Sequence, residues 1–449
     1  MNINLKKFKV TPAVVMADVE SVITIESLEG SFKFYDDMIY EVSCFAQDES
    51  DVPIDEELTL LGYNKKRKTY LVKPENGKIK LKYFFAGEQE WRIHISTKEY
   101  KKHENPLFDK YIPYWNQLIN FPKDGVDVCV YSLYEDLYKR QPLRGDLHVH
   151  TTASDGWETP EFVCAGYRKC GRDFVAITDH NVFYASCEAE KKLDFLQNFQ
   201  ILKGEEVHNG YVGFFHMVNI GGDYGVNDIY INDPQRVKDE IAELEKEIEV
   251  PKGLDKNEYL GRVWMYREIK KSGGYAIHVH PYWNIGFYHT STKMSKAIIK
   301  NGLCDAYEII GGVEPKENNM QVALYNDLRA EGVDIPIVGS TDSHSVLSGS
   351  HLKRSTVVFS KDDIIKSIDE GYSTAVESLQ GENVRAYGKL RLVTYTHFLL
   401  ENYFPLHDEL CEISGRYLEE YVHGNDTVKD LILQTEDKIS EFKKDFFGY

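Results

Sequence analysis

The chain has 449 residues, of which 42% are hydrophobic and 28% charged, and a formal net charge of −19. That length implies two or three domains of ~100–200 residues, and the composition is that of a globular protein able to bury a sizeable core. An acidic surface repels nucleic-acid backbones, which argues against a long polynucleotide partner, but it leaves room for a local phosphate site whose positive charge comes from metal ions. The seven cysteines include no C-x-x-C pair. A disulfide framework is therefore not expected, and a reducing compartment is. The N-terminal stretch lacks the apolar core of a signal peptide, and no apolar run approaches the ~20 residues that span a bilayer. A cytoplasmic protein is expected.

Residues 1–140 read as an all-β, sandwich-like accessory domain. MIYEVSCFA, ELTLLGY, TYLVK, GKIKLKYFF, EWRIHIS and GVDVCVYSLY are short runs that alternate apolar and polar residues, with turn signals such as PENG between them. Such runs are half-buried strands of a β-sandwich. His94 falls on the polar side of its run and reads as a surface histidine.

From residue 141 to 375 the texture changes to short apolar strands alternating with amphipathic helices. DFVAITD, FQILKG, GYAIHV, DAYEIIG, IPIVGS and STVVFS are the strands; PEFVCAGYRKCG, the run after Tyr184, EYLGRVWMYREIKKSGG, TKMSKAIIKNG and NNMQVALYNDLRAEG are the helices. This alternation predicts an α/β domain with a parallel sheet closed or nearly closed into a barrel. The charged helical run at 233–250 is an insertion with a solvated face, or else a lid. After about residue 375 the strands stop, and residues 376–449 read as three helices that could pack on the barrel or on a second copy of the chain. His397, His407 and His423 in this tail are read as surface or packing groups.

The chemistry gathers in the middle. Fifteen histidines are present, nine of them between His148 and His344, and eight of these nine lie in DLHVHTTASDG, AITDHN, GEEVH, GFFHMVNIGG, AIHVHPYW and GSTDSHS. Most of these clusters end an apolar run. Imidazoles and carboxylates brought by several strand ends to one place are what a multinuclear metal site needs. His148 and His150, like His278 and His280, lie two apart, so on a strand they point the same way. Glu205 and Glu206 follow a glycine and offer one carboxylate to bridge two metals. His216, among apolar neighbours, reads alone as a core residue; its company favours a ligand.

The order H-x-H, S-D-G, T-D-H, G-x-E, H, H-P and D-x-H resembles the PHP family, named for polymerase and histidinol phosphatase domains, over roughly residues 144–372. The resemblance implies a distorted seven-stranded β/α barrel that binds two or three divalent metals at the C-terminal strand ends and hydrolyses phosphoesters. It implies one metal at His148, His150, Glu206 and Asp342, a second sharing Glu206 with His216 and His280, and a third at Asp155, His180 and His344. Glu206 is preferred to Glu205 on the family's G-x-E pattern. Asp155 stands where some relatives have histidine, similar to the small-substrate branch.

The nitrogen and oxygen donors suit Zn, Mn and Fe alike. The implied function is a phosphoesterase acting on a small phosphorylated metabolite or nucleotide, with a metal-bound hydroxide as nucleophile. Asp179, His208 and His278 are candidates to protonate the leaving group. Lys353 and Arg354 are placed to grip a phosphate or are a solvated pair, and Tyr282 and Trp283 line the pocket or pack at the rim. Two other readings stay open: an amide or ester hydrolase of the same fold, and a non-catalytic metal-binding module.

Overall fold

The computed structural model describes residues 7–28, 33–48, 69–98, 125–208 and 215–448. The expected strand ELTLLGY, at 57–63, lies outside them. The fold divides into two compact units, one of Met1–Arg140, Thr394–Leu406 and Ser440–Tyr449, the other of Gln141–Val393 and His407–Ile439.

The first unit is built on β1 (Phe8–Thr11), β2 (Val14–Met16), β3 (Glu20–Ser27), β4 (Tyr40–Ala46), β5 (Thr69–Val72), β6 (Lys78–Phe84), β7 (Gln89–Ser96) and β8 (Val126–Leu133), followed by the short helix α1 (Glu135–Tyr138). A three-stranded sheet runs β1-β3-β6 and a five-stranded sheet β2-β8-β7-β4-β5. Alternation sets the register. Ile23 pairs with Leu81 and Ile25 with Ile79 in the small sheet, while Ile93 pairs with Cys44 and Val128 in the large one. All of these side chains enter one apolar core with buried Trp91. Successive strand residues face opposite sides, so His94 points outward, where its Nδ1 meets Asp127 at 2.8 Å.

The second unit carries β9 (Gln141–Asp146), α2 (Pro160–Lys169), β10 (Phe174–Ala176), α3 (Tyr184–Lys192), β11 (Gln200–Leu202), β12 (Gly204–His208), β13 (His216–Ile220), α4 (Val226–Asn232), α5 (Pro234–Glu247), α6 (Lys256–Lys271), β14 (Tyr275–His278), α7 (Thr292–Lys300), β15 (Ala306–Ile310), α8 (Pro315–Ala330), β16 (Ile337–Gly339), β17 (Arg354–Ser360), α9 (Ile364–Asp369), β18 (Ser373–Glu377) and β19 (Arg385–Tyr387). The protein is thus of mixed α/β type.

A closed seven-stranded barrel is not what its hydrogen bonds make. They form two sheets, β11-β10-β9-β17-β18-β19 and β12-β13-β14-β15-β16. The parallel rhythm fails in particular places. β13 lies antiparallel to both β12 and β14, and β17 lies antiparallel to β9 and β18. Strands also continue past residue 375, through β19. Isolated parallel bridges, Val149 with Ser343 and His180 with Glu206, join the two sheets where the histidine clusters lie.

Inward residues of both sheets, among them Phe174, Val218, Ile277, Val338 and Val358, share one core. Helices cover the outer faces. Trp264, Ile298 and Leu328 pack over the five-stranded sheet, and Val163 and Tyr167 over β10 and β11. The charged insertion forms α5, capped by Asp233, which accepts from the Arg236 amide. Its Val237 and Leu244 join the core that holds Trp264 of α6, and Glu240 accepts from the Trp264 indole at 2.7 Å. It is an amphipathic helix docked on its neighbour.

The C-terminal part is helical: α10 (Leu390–Asn402), α11 (Phe404–Val422) and α12 (Lys429–Phe447). Within the second unit, Arg168 of α2 donates to Glu436 of α12 at 2.7 Å, both fully buried. Among the described residues no helix is long and apolar enough to cross a membrane.

Candidate metal centre

The site is assembled where β9, β10, β12, β13, β14 and β16 end or begin. Asp146, the last residue of β9, is fully buried. It accepts from Tyr167 Oη (2.9 Å), from Thr341 Oγ1 (2.5 Å) and from the backbone of Thr341 and His148. One carboxylate thereby fixes two ligand-bearing segments, His148-x-His150 and Asp342-x-His344. The loop after His150 is closed by the Gly156 amide donating to Thr151 O. Only glycine fits there, because a Cβ would lie 2.6 Å from the carbonyl of His150.

Glu206 is at the centre. Its Oε2 lies 3.2 Å from His148 Nε2, 3.3 Å from His150 Nε2 and 3.2 Å from His180 Nδ1. Its Oε1 lies 2.8 Å from His216 Nδ1 and 3.0 Å from His280 Nε2. Each oxygen thus serves a different set of imidazoles, which is the disposition of a bridging carboxylate. Asp342 Oδ1 adds contacts at 3.0 Å to His150 Nε2 and 3.5 Å to His148 Nε2. On the far side of His150, Asp155 Oδ2 is 3.2 Å from His344 Nε2 and 3.8 Å from His180 Nε2. His150 and His344 stack with ring centroids 4.4 Å apart. All nine expected ligands are therefore one connected set.

Glu205 points the opposite way, as strand alternation requires, and accepts from Asn219 and from the Val226 and Asn227 amides. Two residues of the centre, His280 (φ 25°) and Asp342 (φ 50°), adopt left-handed backbone that ordinary side chains rarely take. Such strain gathers at functional sites.

The donor set fits divalent cations. Six imidazoles and three carboxylates converge, and the described residues contain four groupings able to hold an ion: His148–Glu206–His280, His148–His150–Asp342, His150–Asp155–His180–His344 and His180–His208–His216. His148 Nε2, both ring nitrogens of His150, His180 Nδ1 and Glu206 Oε2 are buried without a hydrogen-bond partner, although they face one another. Buried polar atoms that converge without bonding call for a partner, and a cation is a partner that this donor set suits. Charge follows the same logic. Burial alone would raise Glu206, but His216 and His148 hold it well below the usual carboxylate range. Burial likewise pushes His150 down, and Asp342 and Glu206 outweigh that and lift it to about 9. His180 is driven down to about 4 by burial, with His150 and His216 adding to it against the pull of Glu206.

The other expected site residues are placed variously. His208 pairs across the β12–β13 hairpin with His216, its ring 4.5 Å from that of His216 and 5.2 Å from that of His180. It is half-buried at the edge of the centre. Asp179 is fully buried and accepts from Thr151 N, Thr151 Oγ1 and Ser154 Oγ, all at 2.7 Å, so it holds the 151–156 loop. His278 does not share the face of His280, because the left-handed turn at His280 ends the alternation. Its Nε2 meets Ser295 Oγ of α7 at 3.2 Å, and burial, then Arg262, pushes its pKa well down. Arg354 donates to Glu377 (3.2 Å) and to Val313 O (3.3 Å), so its guanidinium is held by the sheet. Lys353 is exposed. Tyr282 is buried, with its hydroxyl 3.0 Å from Thr292 Oγ1. Trp283 borders the centre, 5.7 Å from the His280 ring and 36% exposed.

Two neighbours of the centre were not singled out from the sequence. His289 is buried with its ring 4.6 Å from His216. Glu308, in the apolar strand AYEII, has its Oε2 3.2 Å from His148 Nδ1. An acid in the middle of an all-buried strand was a usable signal; His289, in a loop of no clear pattern, carried none.

No family model matches the chain. Over 98 residues, 19% of its length, it is 32% identical to DNA polymerase/3'-5' exonuclease PolX of Bacillus subtilis, a match that spans 17% of that enzyme. Over 151 residues, 31% of its length, it is 28% identical to an uncharacterized protein of Methanocaldococcus jannaschii, spanning 68% of it. Among solved structures it is similar to a two-domain Bacteroides vulgatus protein containing a predicted PHP-like metal-dependent phosphoesterase (17% identity, 53% of this chain and 65% of that one, TM-score 0.38). It is also similar to an amidohydrolase from Chromobacterium violaceum (19% identity, 44% and 87%, TM-score 0.31). Over part of its length the chain is thus similar to predicted PHP-like metal-dependent phosphoesterases.

Proposed function

We propose that the protein is a metal-dependent hydrolase that cleaves phosphoric esters of a small metabolite or nucleotide. The observation that carries this reading is Glu206, buried, with one oxygen turned to His148, His150 and His180 and the other to His216 and His280. Bound divalent ions, two or three of Zn, Mn or Fe, would supply Lewis acidity opposite the phosphoryl oxygens. His148, His150, Glu206 and Asp342 would hold one, Glu206, His216 and His280 another, and Asp155, His180 and His344 a third.

The chain's own residues do the rest. Asp146 and Asp179 hold the ligand loops, which limits reorganisation as charge develops. Of the three candidate proton donors, Asp179 and His278 are hydrogen-bonded away from the centre. His208, at its edge, is the group that delivers a proton to the leaving oxygen, acting as the imidazolium and returning to neutral imidazole. Trp283 lines the entrance. The helical tail offers a surface for a second copy of the chain, and the cytoplasm is the expected compartment.

Arg354 is engaged with Glu377 and so does not supply the guanidinium grip expected of it for a phosphate, and an amide or ester hydrolase is the second reading. p-Nitrophenyl phosphate, its bis-ester and a p-nitrophenyl carboxylic ester, each assayed with Mn²⁺, Zn²⁺ and Fe²⁺, separate the two. Phosphoester turnover that His150→Ala abolishes supports the first reading. Turnover of the carboxylic ester alone replaces it with the second.

A further inference from the structure

Glu308 is a carboxylate with no solvent exposure, in a strand whose five residues are all buried. Taking such a polar group out of water is unfavourable unless partners answer it. Its two oxygens have different partners. Oε2 lies 3.2 Å from Nδ1 of His148, and Oε1 accepts from the backbone N–H of His280 at 3.2 Å. Both partners are members of the ligand set. By its other nitrogen His148 faces Glu206 Oε2 and Asp342 Oδ1; His280 faces Glu206 Oε1.

The carboxylate is itself held. A Cβ on Gly311 would collide with Oε1 of Glu308, so the chain turns there on a residue that leaves room for it. The Gly311 amide donates to Asn318 Oδ1 at 2.7 Å, and Gln321 Nε2 donates to the carbonyl of Glu308 at 3.3 Å. Helix α8 thus braces the strand end that carries it.

A neutral imidazole has one N–H and one lone pair, and the hydrogen bond made at one nitrogen decides which is offered to a metal. Resting on the reading that this cluster binds divalent cations, we propose that Glu308 is the positioning residue of the centre. It accepts Nδ1–H of His148, which leaves Nε2 as the ligand atom, and through the His280 amide it fixes the spacing of the groups on the two sides of Glu206.

The test uses the full chain with Mn²⁺ alone as probe for affinity, and Zn²⁺ for a histidine ¹⁵N spectrum. Glu308→Gln preserves shape but cannot accept from both donors, and its Mn²⁺ affinity is expected to fall ~10–100-fold. The downfield, hydrogen-bonded Nδ1–H signal of His148 in the Zn²⁺-loaded wild type is expected to shift or vanish in the variant. Glu308→Asp keeps the charge and is expected to lose less; it also serves should the Gln variant not fold. Wild-type Mn²⁺ affinity in both variants, with the Nδ1–H signal unchanged, overturns this inference and leaves the metal centre standing. A wild-type chain that takes up no Mn²⁺ overturns the inference together with the proposed function.

Discussion

At the scale of single residues, the centre separates groups that face one another without hydrogen bonds from groups whose bonds are complete. The inward atoms Glu206 Oε2, His148 Nε2, His150 Nε2 and His180 Nδ1 belong to the first kind. Asp146, Asp179 and Glu205 belong to the second, each with three or more bonds from backbone or side chains. The first arrangement suits ligands; the second suits the frame around them. His208 stands between, packed on two imidazoles yet half-buried. If it protonates the leaving oxygen, its effect depends on how much the leaving group needs a proton. His208→Gln is expected to lower kcat for an alkyl phosphate by ~10²–10⁴ and to affect p-nitrophenyl phosphate, whose leaving group is weakly basic, far less. Equal losses on both substrates would show that His208 acts otherwise.

At the scale of elements, strand ends and loops decide what the centre receives. The order of ligand motifs was legible because each motif is local: a short apolar run, then the ligand pair. His278 was misread for an equally local reason, since the two-residue rule holds only while the strand continues, and His280 has already left it with φ of 25°. Sheet closure was not legible, because antiparallel pairing of β13 with β12 and β14 is a property of distant segments that apolar pattern alone does not carry. The tail shows the same division. Its helical periodicity is plain, but not that His407 of α11 is buried against the segment entering β10, with Nε2 3.2 Å from Asp173 Oδ1 and Nδ1 3.5 Å from Asp408 Oδ1. Burial pushes His407 down, and Cys411 and Asp173 outweigh it and lift it to about 10. A histidine in an unfolded chain titrates near ~6.5. The folded form therefore holds the proton more tightly, so this contact stabilises fully below that value and is lost as pH rises through about 10. Denaturant-unfolding stability of the metal-free protein is expected to decline between these two limits, and His407→Gln to flatten the decline. Parallel curves for the two proteins would refute the assignment.

At the scale of the whole molecule, the net charge of −19 and the chemistry of the centre are consistent. Three of the acids converge with six imidazoles, Glu206 buried, Asp342 partly covered and Asp155 exposed at the edge; protons balance the buried charge in part, and cations would do so more completely. The fold supplies that place by bringing two separate sheets together through the bridges at Val149–Ser343 and His180–Glu206, so residues distant in the chain meet without a closed barrel. The most direct test is an anomalous-difference map from crystals of the full chain grown with Mn²⁺ and collected near the manganese edge. Peaks beside each oxygen of Glu206, both absent in Glu206→Gln, are the predicted result. A map with no peak at Glu206, from crystals in which the surrounding imidazoles are well ordered, would contradict the account.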